Sequence, residues 1–237
     1  MRQAWQAVTF LHWPFEPDQV QRLLPDGLEI EAHGGAAWVG LVAFRIDIRP
    51  PAGPTAPWLV GVPETNVRTY VVGPDGRPGV WFFSLDIGTP DAAAAARGGW
   101  GLPYFWSRMT VEEDRREVRY RCRRALSRRP AASRLVVTTG EPVDDLDLTD
   151  FDHYLTARFG LWSRAFGRLL HTAVEHPPWR FTRVRVDELD DSLVTAAGLP
   201  APTDSPVTHF SDGVQVRIGP PHRVTSPTNR GISAAEG

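Results

Sequence analysis

An alternating run over residues 63–72 constrains the fold of this chain more than any other stretch. Successive side chains of an extended strand point to opposite faces. One face of this run would be apolar or small, and it carries Val67, Thr69 and Val71. The other face would be polar, and it carries Glu64, Asn66, Arg68 and Tyr70. The pattern fits either a surface strand with its polar side in water or a barrel strand whose polar face lines a small-molecule cavity.

Similar strand patterns recur along the chain and predict an α+β fold that is predominantly antiparallel β. The predicted strands cover residues 4–12, 28–31, 36–47, 63–72, 79–86, 104–111, 116–125, 133–140, 159–166, 168–175, 179–188 and 209–217. The first should end at Pro14, because proline cannot donate to a strand ladder. A few short helices are predicted, at residues 17–24, 90–97, 148–156 and 190–197. Proline or glycine at nearly every junction favours a folded-over sheet or barrel.

The chain shows no internal repeat and no linker long enough to separate domains. We therefore expect a single domain over residues 1–224, with a loop at 49–57 and a disordered polar tail at 225–237. No stretch is apolar enough to span a bilayer, and the N-terminus lacks the apolar core of a signal peptide. These features predict a cytoplasmic protein without a membrane partner. A homo-oligomer is compatible with the sequence.

All 26 basic residues of the chain, histidine aside, are arginine. Arginine suits carboxylates and phosphates, but it cannot supply the amine of a Schiff base. Lysine-imine catalysis is therefore excluded. Cys122 is the only cysteine, so no internal disulfide or Cys-x-x-Cys metal site can form. The histidines show no metal-ligand spacing either, and we expect neither a metal nor a cofactor.

A stripe of arginines follows one face of the strand predicted at residues 116–125. It consists of Arg119, Arg121 and Arg123, and Arg128 and Arg129 extend it through the next turn. Such a stripe could face nucleic acid, but it lacks the interleaved aromatic residues on which bases stack. The net charge of −2 gives no general attraction to nucleic acid either. A solvated strand face is the better interpretation, and no nucleic-acid partner is expected.

A set of short motifs extends over nearly the whole chain apart from the tail. They are FLHWP at 10–14, LLPDGL at 23–28, AWVG at 37–40, PETNVRTY at 63–70, GVWFFSLD at 79–86, GLPY at 101–104, AAGLP at 196–200 and HFSDGV at 209–214. Together these motifs resemble the YqjF-like proteins, a family of unknown function called DUF2071. The resemblance implies the fold of acetoacetate decarboxylase, a β-barrel or cone around a buried, acid-lined pocket.

The same resemblance argues against the decarboxylase reaction. Glu64 looks like the counterpart of the glutamate that opens a pocket strand in the decarboxylases. Their imine-forming lysine follows an aromatic-Pro motif, and Tyr104 stands at the similar position here. Because imine decarboxylation needs an amine, the resemblance implies the cavity without that reaction. The chain is not a lysine-dependent acetoacetate decarboxylase.

The candidate catalytic residues are Glu64 and Tyr104, with Glu64 shuttling a proton and Tyr104 donating a hydrogen bond to a substrate oxygen. Arg68 is the candidate clamp for a carboxylate. The other candidate ligand-binding residues are Asn66, Arg108, His12, Tyr70, Trp106 and Ser84. Structural alternatives remain open: Glu64 and Arg68 could form an internal ion pair, Tyr104 could be a packed aromatic, and His12 could be structural.

Two main hypotheses follow from this set. The first is a cofactor-free enzyme, a dehydratase, isomerase, cyclase or aldol-type enzyme, acting on a small keto acid or another carboxylate. The second is a small-molecule-binding protein on the same barrel that does no chemistry. A nucleic-acid binder that uses the arginine stripe is a third and weaker alternative. If the chain is an enzyme, it is a metal-free lyase or isomerase.

Overall fold

A computed structural model of the protein describes residues 1–50, 56–126 and 130–224. Its strands are β1 Arg2–Phe15, β2 Glu29–Ile30, β3 Ala37–Arg49, β4 Val62–Val72, β5 Pro78–Ile87, β6 Tyr104–Asp114, β7 Glu117–Arg124, β8 Ala132–Pro142, β9 Gly160–Ala165, β10 Arg168–Glu175, β11 Thr182–Asp191, β12 Val207–Ile218 and β13 His222–Arg223. The helices are α1 Pro17–Gln21, α2 Pro90–Trp100, α3 Asp150–Thr156 and α4 Leu193–Ala196. The predicted tail at 225–237, residues 51–55 of the predicted loop, and Arg128 and Arg129 of the stripe lie outside the described residues.

The strands join into one sheet whose pairings are antiparallel, except where β5 meets β6 and β9. The order around the sheet closes on itself because β5 also pairs with β4, and β10 also pairs with β12. Two barrel-like rings result. The filled ring runs β5–β6–β7–β8–β11–β12–β1–β3–β4, and the hollow ring runs β5–β9–β10–β12–β1–β3–β4. The strands from β12 to β5 form a wall that both rings share.

The alternating strand of the sequence is β4, which lies in this shared wall between β3 and β5. Val67, Thr69 and Val71 are fully buried on one face. Glu64, Asn66, Arg68 and Tyr70 on the other face are at most 6% exposed. Both faces are buried, which excludes the surface-strand alternative.

The filled ring encloses a packed apolar core. Leu11, Leu41, Val67 and Leu135 meet there, each at most 1% exposed. Helix α4 adds Leu193 to the same cluster. Period-two alternation on the strands accounts for this packing, because each strand gives one apolar side to the interior.

Two boundaries differ from the sequence prediction. Strand β1 does not stop at Pro14 but continues to Phe15, with Pro14 opposite Trp38 of β3. Its pairing with β12 ends at His12, so Pro14 lies where β1 has an open edge and its missing N–H removes no ladder bond. Further on, β11 extends to Asp191, and the helix predicted at 190–197 is shortened to Leu193–Ala196.

Helix α3 is fixed at both ends, and its C-terminal turn borders the site described below. Thr149 and Asp152 form a capping box at its N-terminus, in which each side chain accepts from the other residue's backbone N–H. Asp152 also accepts a hydrogen bond of 2.8 Å from Nε2 of His209 on β12. These contacts hold α3 against the shared wall.

Two arginines of the stripe on β7 are paired with acidic neighbours. Arg119 pairs with Glu117, and Arg121 lies 3.8 Å from Glu112. Alternating opposite charges on an exposed strand are typical of a solvated face, which favours the interpretation given above over a nucleic-acid surface. In the described part of the chain, no helix is long and apolar enough to cross a membrane.

Candidate functional site

A cavity of about 330 Å³ lies inside the hollow ring. Most of its wall is apolar, with contributions from Phe10, Phe44, Phe82, Leu161 and Trp179. Cavities of about 300–1,000 Å³ with apolar walls and a few converging polar groups are typical small-molecule sites. The polar groups of this wall therefore form the candidate site.

Strand β4 supplies three of these polar groups, Glu64, Asn66 and Arg68. They are spaced two residues apart along the strand, so all three side chains point to the same side. Oδ1 of Asn66 has no hydrogen-bond partner among the described residues, although Asn66 is only 4% exposed. A buried polar atom without a partner costs free energy, and a bound ligand could supply the missing bond.

Glu64 carries the most perturbed carboxyl group of the wall. It is 3% exposed, and it accepts a hydrogen bond of 3.1 Å from the hydroxyl of Tyr104, which β6 brings to the same cavity. Burial raises the pKa of Glu64 to about 8, while the hydrogen bonds from Tyr104 and Asn66 oppose this shift. The carboxyl is therefore largely protonated at neutral pH and able both to give and to take a proton.

Arg68 does not form the internal ion pair with Glu64 that was one alternative. Its Nη2 donates instead to the backbone oxygen of Leu155 in α3, at 3.2 Å. Its Nε has no partner among the residues the structure describes. The guanidinium also lies over the rings of Phe10 and Tyr70, at 5.5 and 5.9 Å from their centroids. A buried cation that retains a free donor beside a cavity is equipped to bind an anion.

Arg158, which the sequence analysis missed, lines the cavity as a second guanidinium. It follows α3, donates from Nε to the backbone oxygen of Tyr154 and pairs through Nη1 with Glu31, each at 2.7 Å. Its Nη2 is buried without a partner in the described part of the chain. Periodicity could not indicate Arg158, because it lies in the segment between α3 and β9.

His176 is a second group that sequence reasoning missed. It is half-buried in the cavity wall, in the loop that follows β10. Its Nδ1–H donates to the backbone oxygen of Pro177 at 2.8 Å, which leaves Nε2 as an acceptor. Burial lowers its pKa, and the nearby Arg68 lowers it further. His176 is therefore a neutral imidazole at neutral pH.

Two of the sequence candidates, His12 and Tyr70, lie behind the cavity wall. The Tyr70 hydroxyl donates to the backbone oxygen of Leu155 and hence accepts, at 2.7 Å, from Nε2–H of His12. Burial lowers the pKa of His12 well below its usual value, so the ring is neutral. Gly40 leaves room for this ring, since a Cβ there would lie 2.8 Å from His12. Leu155 accepts from both Tyr70 and Arg68, so this buried network positions the arginine.

Three further candidates do not line the cavity, and the prediction that they join the site is corrected. Strand β5 has a register shift between its pairings with Val67 and Arg68, and this bulge turns Ser84 to the opposite side. Trp106 packs against the apolar cluster that includes Phe10 and Phe44, but it is not among the side chains that line the cavity. Arg108 is exposed, because β6 has by then left β5 and pairs with β7.

Among the described residues, no group of three or more His, Cys, Asp or Glu side chains converges to form a metal site. Cys122 is buried in the filled ring, and burial raises the pKa of its thiol above the usual value. The site is thus composed of one carboxyl group, two guanidiniums, an amide, a phenol and an imidazole around an apolar cavity.

Comparison with solved structures shows the acetoacetate decarboxylase-like fold that the sequence predicted. The enduracididine biosynthesis enzyme MppR, in complex with the condensation product of pyruvate and imidazole 4-carboxaldehyde, has a TM-score of 0.65 at 16% identity and covers 96% of this chain and 90% of its own. An acetoacetate decarboxylase-like enzyme from Sphingomonas wittichii RW1 has a TM-score of 0.63 at 15% identity, covering 94% and 92%. At such low sequence identities the similarity shows the fold alone.

Sequence comparison gives the family. The uncharacterized protein YqjF of Bacillus subtilis (strain 168) is 29% identical over 221 residues, which are 93% of this chain and 90% of YqjF. The model of DUF2071, described as an uncharacterized conserved protein, matches residues 2–215. The chain therefore belongs to the DUF2071 family.

Proposed function

We propose that this protein is a cofactor-free enzyme that binds a keto acid or a related carboxylate in the hollow ring and moves a proton on it with Glu64. One observation carries this proposal. A carboxyl group with a pKa of about 8 lies buried in the wall of an apolar cavity that also holds a guanidinium with a free donor. Perturbed acids in cavities are frequent at catalytic sites.

The proton transfer can be written in balanced form for a ketone. The ionised fraction of Glu64, about one molecule in ten at pH 7 for a pKa of about 8, takes a proton from the carbon next to the carbonyl group. The C–H electron pair becomes the C=C bond, and the carbonyl π pair moves to oxygen. Glu64 then returns the proton to carbon or to oxygen. Isomerase, dehydratase, cyclase and aldol-type reactions on a ketone can each begin with such a step.

The other residues have supporting roles in this proposal. Tyr104 donates a hydrogen bond to Glu64 and so orients the carboxyl group. Arg68 holds the substrate carboxylate, which can take a bidentate geometry on a guanidinium. The chain contains no lysine, so the lysine-imine route is closed. MppR supports the substrate class by fold analogy, since one structure of that enzyme is in complex with pyruvate.

A binding protein that does no chemistry is the second candidate. The sparse polar lining favours it, because Tyr104 already donates to Glu64 and most of the remaining wall is apolar. Such a site would hold a carboxylate firmly without activating it. Binding measurements alone do not separate the two functions, so turnover has to be measured.

The test combines a thermal-shift screen of oxo acids with NMR detection of hydrogen exchange in D₂O. For the enzyme, an oxo acid that raises the Tm of the wild type should lose the protons next to its carbonyl group. Glu64→Gln should slow this exchange about 100-fold or more, the usual contribution of an acid–base group. The exposed Glu175→Gln provides the matched control and should exchange like the wild type. Stabilisation without exchange would support the binding protein, and no stabilisation by any acid would contradict both.

A further inference from the structure

The hollow ring has two polar centres that are separated along β4. Glu64 and Tyr104 form one centre, and Arg68 and Arg158 form the other. Arg68 follows Glu64 by four positions, which corresponds to about 13 Å between their Cα atoms in an extended strand. The two side chains bind different partners, Tyr104 and the Leu155 carbonyl.

Arg68 and Arg158 face a common aromatic ring. The guanidinium carbons lie 5.9 and 4.6 Å from the centroid of Tyr70, respectively. Both have a nitrogen without a hydrogen-bond partner within the described residues, Nε of Arg68 and Nη2 of Arg158. Their side chains therefore offer two free donors at the same end of the cavity.

The charges at this end leave one positive charge uncompensated. Arg68 and Arg158 are always charged, and Glu31 neutralises Arg158. His176 is neutral at neutral pH, and so is most of Glu64. A ligand with one negative charge would balance Arg68, whereas a second negative charge would have to be buried in the apolar part.

Apart from Asn66, which lies between Glu64 and Arg68 on β4, the wall between the two centres is apolar and aromatic. Phe10, Phe44, Phe82 and Leu85 all line the cavity. Pyruvate, whose carboxylate adjoins its carbonyl group, would reach one centre and leave most of the 330 Å³ unfilled. A longer ligand would bury an apolar chain against these side chains, which favours its binding.

We propose that the ligand is an elongated monocarboxylate, with its carboxylate between Arg68 and Arg158, an apolar chain along the aromatic wall, and a carbonyl or hydroxyl group at Glu64 and Tyr104. This inference rests on the proposed function and names its substrate class. The carboxylate would accept the free Nε–H of Arg68 and the free Nη2–H of Arg158. The reacting carbon would then lie several bonds away from the carboxylate.

A titration series measures the preferred separation of the two groups. Isothermal titration calorimetry of the wild-type protein would compare pyruvate, 4-oxopentanoate and 6-oxoheptanoate. Heptanoate serves as the probe without a ketone group, and heptanedioate as the probe with a second negative charge. The Kd should fall at least tenfold from pyruvate to 6-oxoheptanoate, and heptanedioate should bind at least tenfold more weakly than 6-oxoheptanoate. Glu64→Gln should change the Kd of 6-oxoheptanoate but not that of heptanoate.

Two arginine variants are measured in the same titrations, one as the test of the carboxylate site and one as its matched control. Arg68→Met replaces the buried guanidinium by an apolar chain of similar length and should weaken every acid at least tenfold. Arg108→Met makes the same change at an exposed position outside the cavity and should leave all Kd values unchanged. A circular-dichroism melt of each variant verifies folding, and Arg158→Met provides a second test of the carboxylate site if Arg68→Met does not fold.

The outcomes separate this inference from the function on which it rests. If pyruvate binds as tightly as 6-oxoheptanoate and its binding depends on Arg68, the inference of an elongated ligand is wrong. The proposed keto-acid pocket would still stand. If heptanedioate binds most tightly of the series, the inference that the ligand carries a single negative charge is wrong. If no acid of the series binds to the folded wild type, both the inference and the proposed carboxylate pocket are wrong.

Discussion

Two buried arginines show how the filled ring differs from the hollow ring. Beside the filled ring, Arg124 binds both oxygens of Asp86 at 2.8 Å, and Ser107 donates to the same carboxylate at 2.7 Å. In the hollow ring, Arg68 meets a backbone carbonyl and retains a free donor. The first arginine has its counter-ion within the fold. The second is buried without a counter-ion among the described residues, and this is the feature that a ligand-binding role explains.

The same contrast holds for the apolar side chains. Leu135 packs into the core of the filled ring, whereas Leu85, buried to a similar degree, borders the cavity. A single wall of strands serves both regions. The filled ring therefore stabilises the fold. The hollow ring retains a cavity and polar groups that have unused hydrogen-bonding capacity within the described residues.

The largest effect should come from substituting the two arginines by methionine. Arg124→Met leaves Asp86 buried without its partner and should lower the free energy of unfolding by about 3–5 kcal/mol. Arg68→Met removes a buried charge that has no carboxylate partner, so stability should be unchanged or slightly higher. Urea denaturation measures both values. Similar losses in the two variants would contradict the distinction between the arginines.

Two leucine-to-alanine substitutions test the packing difference. Leu135→Ala should cost about 2–5 kcal/mol of unfolding free energy, as is usual for a closely packed core. Leu85→Ala should lie at the low end of that range, because part of its surface already faces empty space and has fewer contacts to lose. The comparison uses chemical denaturation at one pH. A greater loss in Leu85→Ala would mean that the cavity wall is the better packed region.

Glu64 should make stability depend on pH. Its pKa rises from an ordinary 4.5 to about 8 on folding, so between these values the folded chain holds a proton that the unfolded chain has lost. Stability should therefore fall as the pH rises from about 4.5 to about 8 and then level off. Glu64→Gln should remove this slope and exceed the wild type by on the order of a few kcal/mol at pH 9, since one pKa unit corresponds to about 1.4 kcal/mol.

Melting curves of both proteins from pH 5 to pH 9 provide the measurement. The two proteins should be close in stability near pH 5, where Glu64 is protonated in the folded state and partly protonated in the unfolded state. The exposed Glu175→Gln should follow the wild type across the range. Parallel curves for wild type and Glu64→Gln would show that the carboxyl is hydrated and has an ordinary pKa.

The smallest effect is expected at the shared wall itself. Gly40→Ala would bring a Cβ to 2.8 Å from the His12 ring and 3.5 Å from Cγ of Arg68. The ring must shift, at a cost of about 1–3 kcal/mol, which is usual for overpacking. Because His12 supports Tyr70 behind Arg68, the variant should also weaken carboxylate binding. Denaturation and titration of one sample measure both effects, and unaltered binding would mean that the network does not position Arg68.

The sequence by itself determined the strand pattern and the family. The alternation over residues 63–72 placed Glu64, Asn66 and Arg68 on one face, because the pleat of a strand is a local property with a period of two. The motifs predicted the DUF2071 family and the decarboxylase-like fold, and both are confirmed. The absence of lysine excluded one chemistry without any structure.

Tertiary structure alone decided which polar groups meet. The bulge in β5 turned Ser84 away, and the departure of β6 from β5 carried Arg108 into solvent. The chain following α3 brought in Arg158, and closure of the hollow ring made a cavity of what could have been a surface. These features depend on pairings between residues far apart in the chain, and a local period contains no information about them.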